Sequence, residues 1–167
     1  KQYSRPRRLY ESGRIAEENI LVKKYALKSK REIWKTLAKI NYFRNRAMAL
    51  AKESAEEQEI LIRKLQAIGL SVKSIADILG LKVEDVLKRR LPSVVHAQKL
   101  ATTANQARQM ITHKLILVGG KVVSSPSYLV PVALEKEITV KLKNRKSKAK
   151  EETATGAALK IQRELSA

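Results

Sequence analysis

The chain has 167 residues, with 35 Lys and Arg against 16 Asp and Glu and a formal charge of +19 at pH 7. A field of that sign favours a polyanionic partner. With no cysteine and two histidines, disulfides and thiolate metal sites are excluded and a usual structural zinc lacks ligands, so no cofactor or metal is expected. There is no apolar run of about 18 residues and no apolar signal segment, which argues against membrane insertion. The length allows one domain or two small ones, and with 4 % aromatics the core must rest on Leu, Ile, Val and Ala.

The chain opens on Lys1 rather than methionine, so native residues are expected to precede it. Residues 1–14 carry Arg5, Arg7, Arg8 and Arg14 around Pro6 and read as an extended basic arm that orders only against a partner, its arginines serving as phosphate anchors. A solubilising tail is the plainer reading of the same composition. Tyr3 and Tyr10 offer rings for stacking on bases. Helices are expected over 15–27, with Ile15, Ile20, Leu21 and Tyr25 apolar, and over 30–53, with Ile33, Trp34, Leu37, Ile40 and Leu50 apolar. Trp34, the single tryptophan, is expected in the core. Lys30, Arg31, Lys35, Lys39, Arg44 and Arg46 flank that second stripe densely enough to neutralise several phosphates, the alternative being a solvated charged face.

A third helix is expected over 54–68, with Ser54, Glu56 and Glu57 suiting its N-terminal end and Gly69 stopping it. Its acidic start is the least suitable face for RNA. Ser71 to Arg90 then fits a helix-turn-helix outline joined at Gly80. A DNA-reading role is disfavoured, because Glu84 and Asp85 would meet phosphates on the first turn and no dimerisation helix is evident.

Downstream, Thr103 and Gln106 have capping-box spacing and start a helix running to about His113. Ala107, Met110 and Ile111 face inward on it, while Asn105, Gln106, Arg108 and Gln109 face outward. Ile116-Leu-Val reads as a strand, Gly119-Gly120 as a two-residue turn with positive φ, and Lys121-Val-Val as the return strand. Arg108, Lys114 and Lys121 are expected to converge. His113 closes the helix where its dipole favours a cation; for it and His96, a structural or phosphate-contact role outweighs metal binding or catalysis. Ser127 and Tyr128 offer hydroxyls to phosphate or ribose, with packing over the hairpin the alternative for Tyr128. Alternation over Ile138 to Leu142 adds a further strand. The run containing Lys143, Arg145 and Lys146 is too polar to bury and would track a phosphate backbone, and 151–167 has weak helical amphipathicity.

The order Arg89-Arg90-Leu91, Thr103 to His113, Ile116 to Lys121 and Pro126-Ser127-Tyr128 resembles the alpha-L RNA-binding module. The companion segments, Lys30-Arg-Glu-Ile-Trp34, Ile62-Arg-Lys-Leu65 and Gly80 to Leu91, resemble the small-subunit ribosomal protein S four family in its archaeal and eukaryotic form. The resemblance implies an α+β fold: a helical N-terminal lobe plus a module of helices and a short mixed sheet, with basic tails. It places Val83 to Leu91 as the module's first helix, broken by Pro92, with His96 in a connector and Arg89 and Arg90 near the RNA. Lys99, Thr103 and Lys114 complete the candidate RNA contacts.

The implied partners are small-subunit rRNA in its 5′ domain, bound early in assembly, and neighbouring small-subunit proteins near the mRNA entry and decoding region. No homo-oligomer is expected, and the location implied is the cytoplasmic ribosome. The expected boundaries are 1–14 for the arm, 15–81 for the helical lobe, 82–142 for the module and 143–167 for the extension.

The alpha-L module also occurs on pseudouridine synthases and tyrosyl-tRNA synthetases, but no Arg-Leu-Asp segment and no His-Ile-Gly-His sequence is present. Nor is there a nucleophile set, P-loop or metal-ligand spacing, so no enzyme is expected. A stand-alone RNA-binding or chaperone protein is the alternative.

Overall fold

A computed structural model describes residues 2–141. Helix α1 (Ser12–Lys24) begins within the segment expected to be an arm and ends before residue 27. Its inward face is not the one expected from Ile20, which is exposed. Leu21 and Tyr25 face inward as expected, joined by Glu18 and Val22. Glu18 can be buried because it accepts from Arg14 at 2.7 Å and from Trp34 Nε1 at 2.9 Å, with Lys30 Nζ at 3.4 Å; a buried carboxylate is tolerated when paired in this way. The same Arg14 donates to the carbonyls of Arg8 and Leu9, and the Tyr3 ring lies 6.2 Å from that of half-buried Trp34. The near end of the arm is therefore held against α1 and α2.

Helix α2 (Lys30–Leu50) buries Ile33, Thr36, Ile40, Ala47 and Leu50 on one stripe. Leu37, expected in that stripe, is exposed, and Thr36 takes the inward position with its hydroxyl satisfied by the Glu32 carbonyl at 2.9 Å. The stripe packs on Leu61 and Leu65 of α3 (Ala55–Ala67), Ile78 of α4 (Ile75–Leu79) and Val86 of α5 (Val83–Lys88). Each such aliphatic side chain contributes about 1.5–3 kcal/mol on burial. Leu87, the residue after Val86, packs on the other side with Tyr25, Leu27 and Ile33. Glu84, on the same short helix, faces Lys24 at 3.1 Å. The helix that a DNA-reading protein would present to a groove is thus covered by its own fold.

Pro92 does not merely end a helix. It sits in the first turn of α6 (Leu91–Ala97), where a missing N–H costs nothing, so the expected connector containing His96 is helical. Helix α7 (Ala104–Thr112) starts at Thr103, whose hydroxyl accepts from the Gln106 N–H at 3.2 Å. The Gln106 side chain reaches Thr102 rather than completing the box on Thr103.

Strands β1 (Ile116–Val118), β2 (Lys121–Val122) and β3 (Ile138–Val140) form a sheet in the order β2-β1-β3. Both pairings are antiparallel, where a mixed sheet was expected. The tight turn reverses β2, and the 3-10 segment Val132–Glu137 brings β3 back along the other edge of β1. Gly119 and Gly120 adopt φ +56° and +74°, the paired positive values of a two-residue hairpin turn. Leu91, Val95, Ala107, Ile111, Ile116 and Val130 are the fully buried centre of this second cluster, with Met110 and Tyr128 packed at its margin. Main-chain bonds from Leu91 N–H to Tyr128 O at 2.9 Å and from Val130 N–H to Arg89 O at 3.1 Å seat the start of α6 on the 128–130 segment.

Candidate nucleic-acid interface

The expected RNA-facing residues divide by where their charged ends lie. Arg90 is 5 % exposed. Its guanidinium bonds to the Glu32 carboxylate at 2.5 Å and to Ser127 Oγ at 3.1 Å. Arg108 reaches the same carboxylate at 2.8 and 3.3 Å and donates to the Ala26 carbonyl at 3.0 Å. Both arginines were expected on the RNA face, Arg108 converging with Lys114 and Lys121. They close instead on one acid 58 and 76 residues away. Ala26 adopts φ +50°, and its neighbour Leu27 closes α1 by donating to Val22 O at 3.0 Å. Arg108 therefore grips the end of α1 as well as the first turn of α2.

Burial by itself raises the Glu32 carboxyl. The hydrogen bonds and charges of Arg108 and Arg90 outweigh it and hold the group below its ordinary 4.5. Glu18 is likewise lowered, with burial opposed by Trp34, Arg14 and Lys30.

Arg89 is also structural. Its Nε donates to Ile68 O at 2.9 Å, and its Nη2 donates to Val130 O at 3.1 Å and to Glu135 at 2.9 Å. The guanidinium lies over Gly69, where a Cβ would come within 2.5 Å of it and where φ is +88°. Arg44 donates to Leu81 O at 2.7 Å, and Lys30 lies 3.4 Å from Glu18. The Thr103 hydroxyl accepts the cap hydrogen bond and Ser127 Oγ accepts from Arg90, and each keeps its O–H as a donor.

The exposed group comprises Arg5, Arg7, Arg8, Arg31, Lys35, Arg46, Lys99, Thr103, Asn105, Gln106, Gln109, His113, Lys114, Lys121 and Ser127. Lys99 and Lys114 have φ +58° and +59°, each just beyond the end of a helix, α6 and α7 respectively. Lys143, Arg145 and Lys146 lie outside the described residues.

One exposed set is ordered by a single element. On α2, Arg31, Lys35 and Lys39 recur four residues apart, and Tyr42 and Arg46 continue the row. At 100° per residue all five fall within a sector of about 80°, and the row runs about 22 Å along the axis. Among the described residues none of these four cations has an acidic side chain within 4 Å. Arg31, Lys35, Lys39 and Tyr42 border a groove of about 790 Å³ that Glu32, Arg90, Ser127 and Leu129 also line. Cationic side chains along an open groove can follow a phosphate backbone, and hydroxyls beside them can meet ribose.

Glu32 and Tyr42 were missed in the sequence. Tyr42 lies two helical turns from Lys35 on the cationic stripe, a signal that was available. Glu32 stands inside the quoted Lys30 to Trp34 motif, but nothing local identifies its distant partners.

An S4 domain matches residues 89–135. The small ribosomal subunit protein uS4 of Picrophilus torridus is 38 % identical to this chain over 83 % of the chain and 81 % of the relative. The protein of the same name from Halobacterium salinarum is 39 % identical over 81 % of each. That from Methanococcoides burtonii is 43 % identical over 78 % of this chain and 77 % of its own length. With likeness of that extent, and an α+β architecture in which the S4 match takes in helices α6 and α7 and strands β1 and β2, the chain belongs to the uS4 family of small ribosomal subunit proteins.

Proposed function

We propose that this protein is a structural component of the small ribosomal subunit, working at the cytoplasmic ribosome, and that it holds rRNA in a fixed shape rather than turning over a substrate. The observation that carries the reading is the α2 stripe: four cations without acidic partners within 4 Å among the described residues, three of them, Arg31, Lys35 and Lys39, bordering the groove that Ser127 and Leu129 also line. Membership of a family of small ribosomal subunit proteins supports rRNA as the partner. The finer assignment is to the 5′ domain of small-subunit rRNA, bound early in assembly, with other small-subunit proteins and the mRNA path as neighbours and no second copy of this chain required.

In this reading Arg31, Lys35, Lys39 and Arg46 meet phosphates. Arg5, Arg7 and Arg8 extend the contact from the arm, and Lys99, Asn105, Gln106, Gln109, His113, Lys114 and Lys121 supply a second face on the module of residues 82–142. The helical part, 15–81, carries the first face. Arg89, Arg90 and Arg108 act one step back by fixing how α7 and the 127–130 segment sit against α2. The 143–167 extension adds charge that tracks the backbone.

The test is a salt titration of binding to 5′-domain rRNA beside unrelated RNA and duplex DNA of equal length. Charge alone binds all three with the same steep salt dependence. A preference for the rRNA that persists as salt rises is the expected result. Equal binding throughout would reduce the protein to a general polyanion binder.

A further inference from the structure

The groove beside α2 has more than a cationic edge. Its floor includes Phe43, Val86 and Leu129, and Tyr42 stands at its rim. Tyr42 is 59 % exposed, and half-buried Phe43 lies against it edge-on, with ring centroids 5.9 Å apart and planes 60° apart. That contact supports the ring from one side without covering it. The volume of about 790 Å³ lies within the range of about 300–1,000 Å³ typical of sites for small organic molecules.

A duplex presents sugar and phosphate on its outside, so it satisfies the cations and leaves an apolar floor and an exposed ring unused. An unpaired nucleotide satisfies both at once: its phosphate lies on the Arg31, Lys35 and Lys39 row and its base has a π face for an aromatic side chain. The negative charge required by the row and the flat apolar body required by the floor occur together in that one ligand class.

We propose that the groove receives one extruded, unpaired nucleotide of the bound RNA, with its base stacked on Tyr42 and its phosphate held by Lys35 and Lys39. This rests on the RNA-binding reading above and adds to it a preference for RNA with an interrupted helix. Such a preference is shape-specific rather than sequence-specific, because every base offers a π face.

The test uses the full chain and two RNA hairpins that differ by a single bulged nucleotide, compared by titration at several salt concentrations. The wild type is expected to favour the bulged hairpin. Tyr42→Ala is expected to lose on the order of tenfold on the bulged hairpin, the scale of one base stack, and to bind the uninterrupted one as before. Tyr42→Phe is expected to retain the preference, because the ring and not the hydroxyl carries it. Lys35→Ala should weaken both hairpins alike. Because Tyr42 is exposed, the unfolding midpoint of its variants should match the wild type, which separates the effect from misfolding. Equal binding of the two hairpins by the wild type, or equal losses on both in Tyr42→Ala, would overturn the nucleotide site while leaving RNA binding intact. Binding of neither hairpin would overturn the RNA reading itself.

Discussion

Glu32 and Lys35 sit one turn apart on α2, yet the charges around them belong to different regimes. Around Glu32, whose side chain is 15 % exposed, the guanidiniums of Arg90 and Arg108 are fixed by short bonds to one carboxylate, a hydroxyl and a carbonyl. Around Lys35 the cations face solvent and, among the described residues, meet no acid within 4 Å. Removing one partner from a buried, hydrogen-bonded pair costs about 3–5 kcal/mol, whereas exposed pairs contribute about 0–1 kcal/mol. A net charge of +19 therefore conceals two populations. The inward cations shape the fold, and the outward ones are available to a polyanion.

The sharpest way to break that contrast is Glu32→Ala. It leaves two guanidiniums facing each other in a poorly solvated seam and is expected to cost about 3 kcal/mol, read by denaturant unfolding. Arg108→Ala is expected to cost about 1–3 kcal/mol of folding stability. RNA affinity should fall only as far as α7 shifts, so a normal unfolding midpoint with weakened RNA binding would move Arg108 to the outward population. Gly69→Ala should cost about 1–2 kcal/mol, because the left-handed backbone resists a side chain and Arg89 must also give way. It tests the third inward arginine, Arg89, without substituting it.

Acid sharpens the same contrast. Glu32 and Glu18 are both held below their ordinary 4.5, so their stabilisation is fully present above that pH and is lost as pH falls through their lowered values. The thermal unfolding midpoint should therefore fall below about pH 4.5, and Glu32→Gln should show a shallower fall. An unchanged slope in that variant would remove Glu32 from the account. The smallest expected stability effect is that of Lys35→Ala, within about 0.5 kcal/mol. Its signature lies in the salt dependence of RNA binding, with a slope lower by about 0.7–0.9 for one lost phosphate contact.

Local features are legible in the sequence. The glycine pair between Ile116-Leu-Val and Lys121-Val-Val gave the hairpin because two consecutive positive φ values leave little choice of residue, and Thr103 gave the start of α7 because a cap needs only its own turn. Pro92 misled because proline serves both as a stop and as a first-turn residue, and the choice depended on Tyr128 accepting the Leu91 N–H across the seam. Ile20 and Leu37 misled because the inward positions beside them are taken by Glu18 and Thr36, polar residues whose partners lie in other turns or other helices. The roles of Arg90 and Arg108 depend on one carboxylate far away in sequence, and charge patterning cannot distinguish a buried guanidinium from one in solvent.

The central claim is that the outward cations of α2, and not the inward arginines, carry the RNA contact. The most direct measurement is the salt dependence of binding to 5′-domain rRNA for the wild type and a variant with Arg31, Lys35 and Lys39 all changed to alanine, beside the unfolding midpoint of each. The account predicts a slope reduced by about 2–3, at about 0.7–0.9 per lost contact, and a midpoint that does not move. An unchanged slope in a stably folded variant would contradict it.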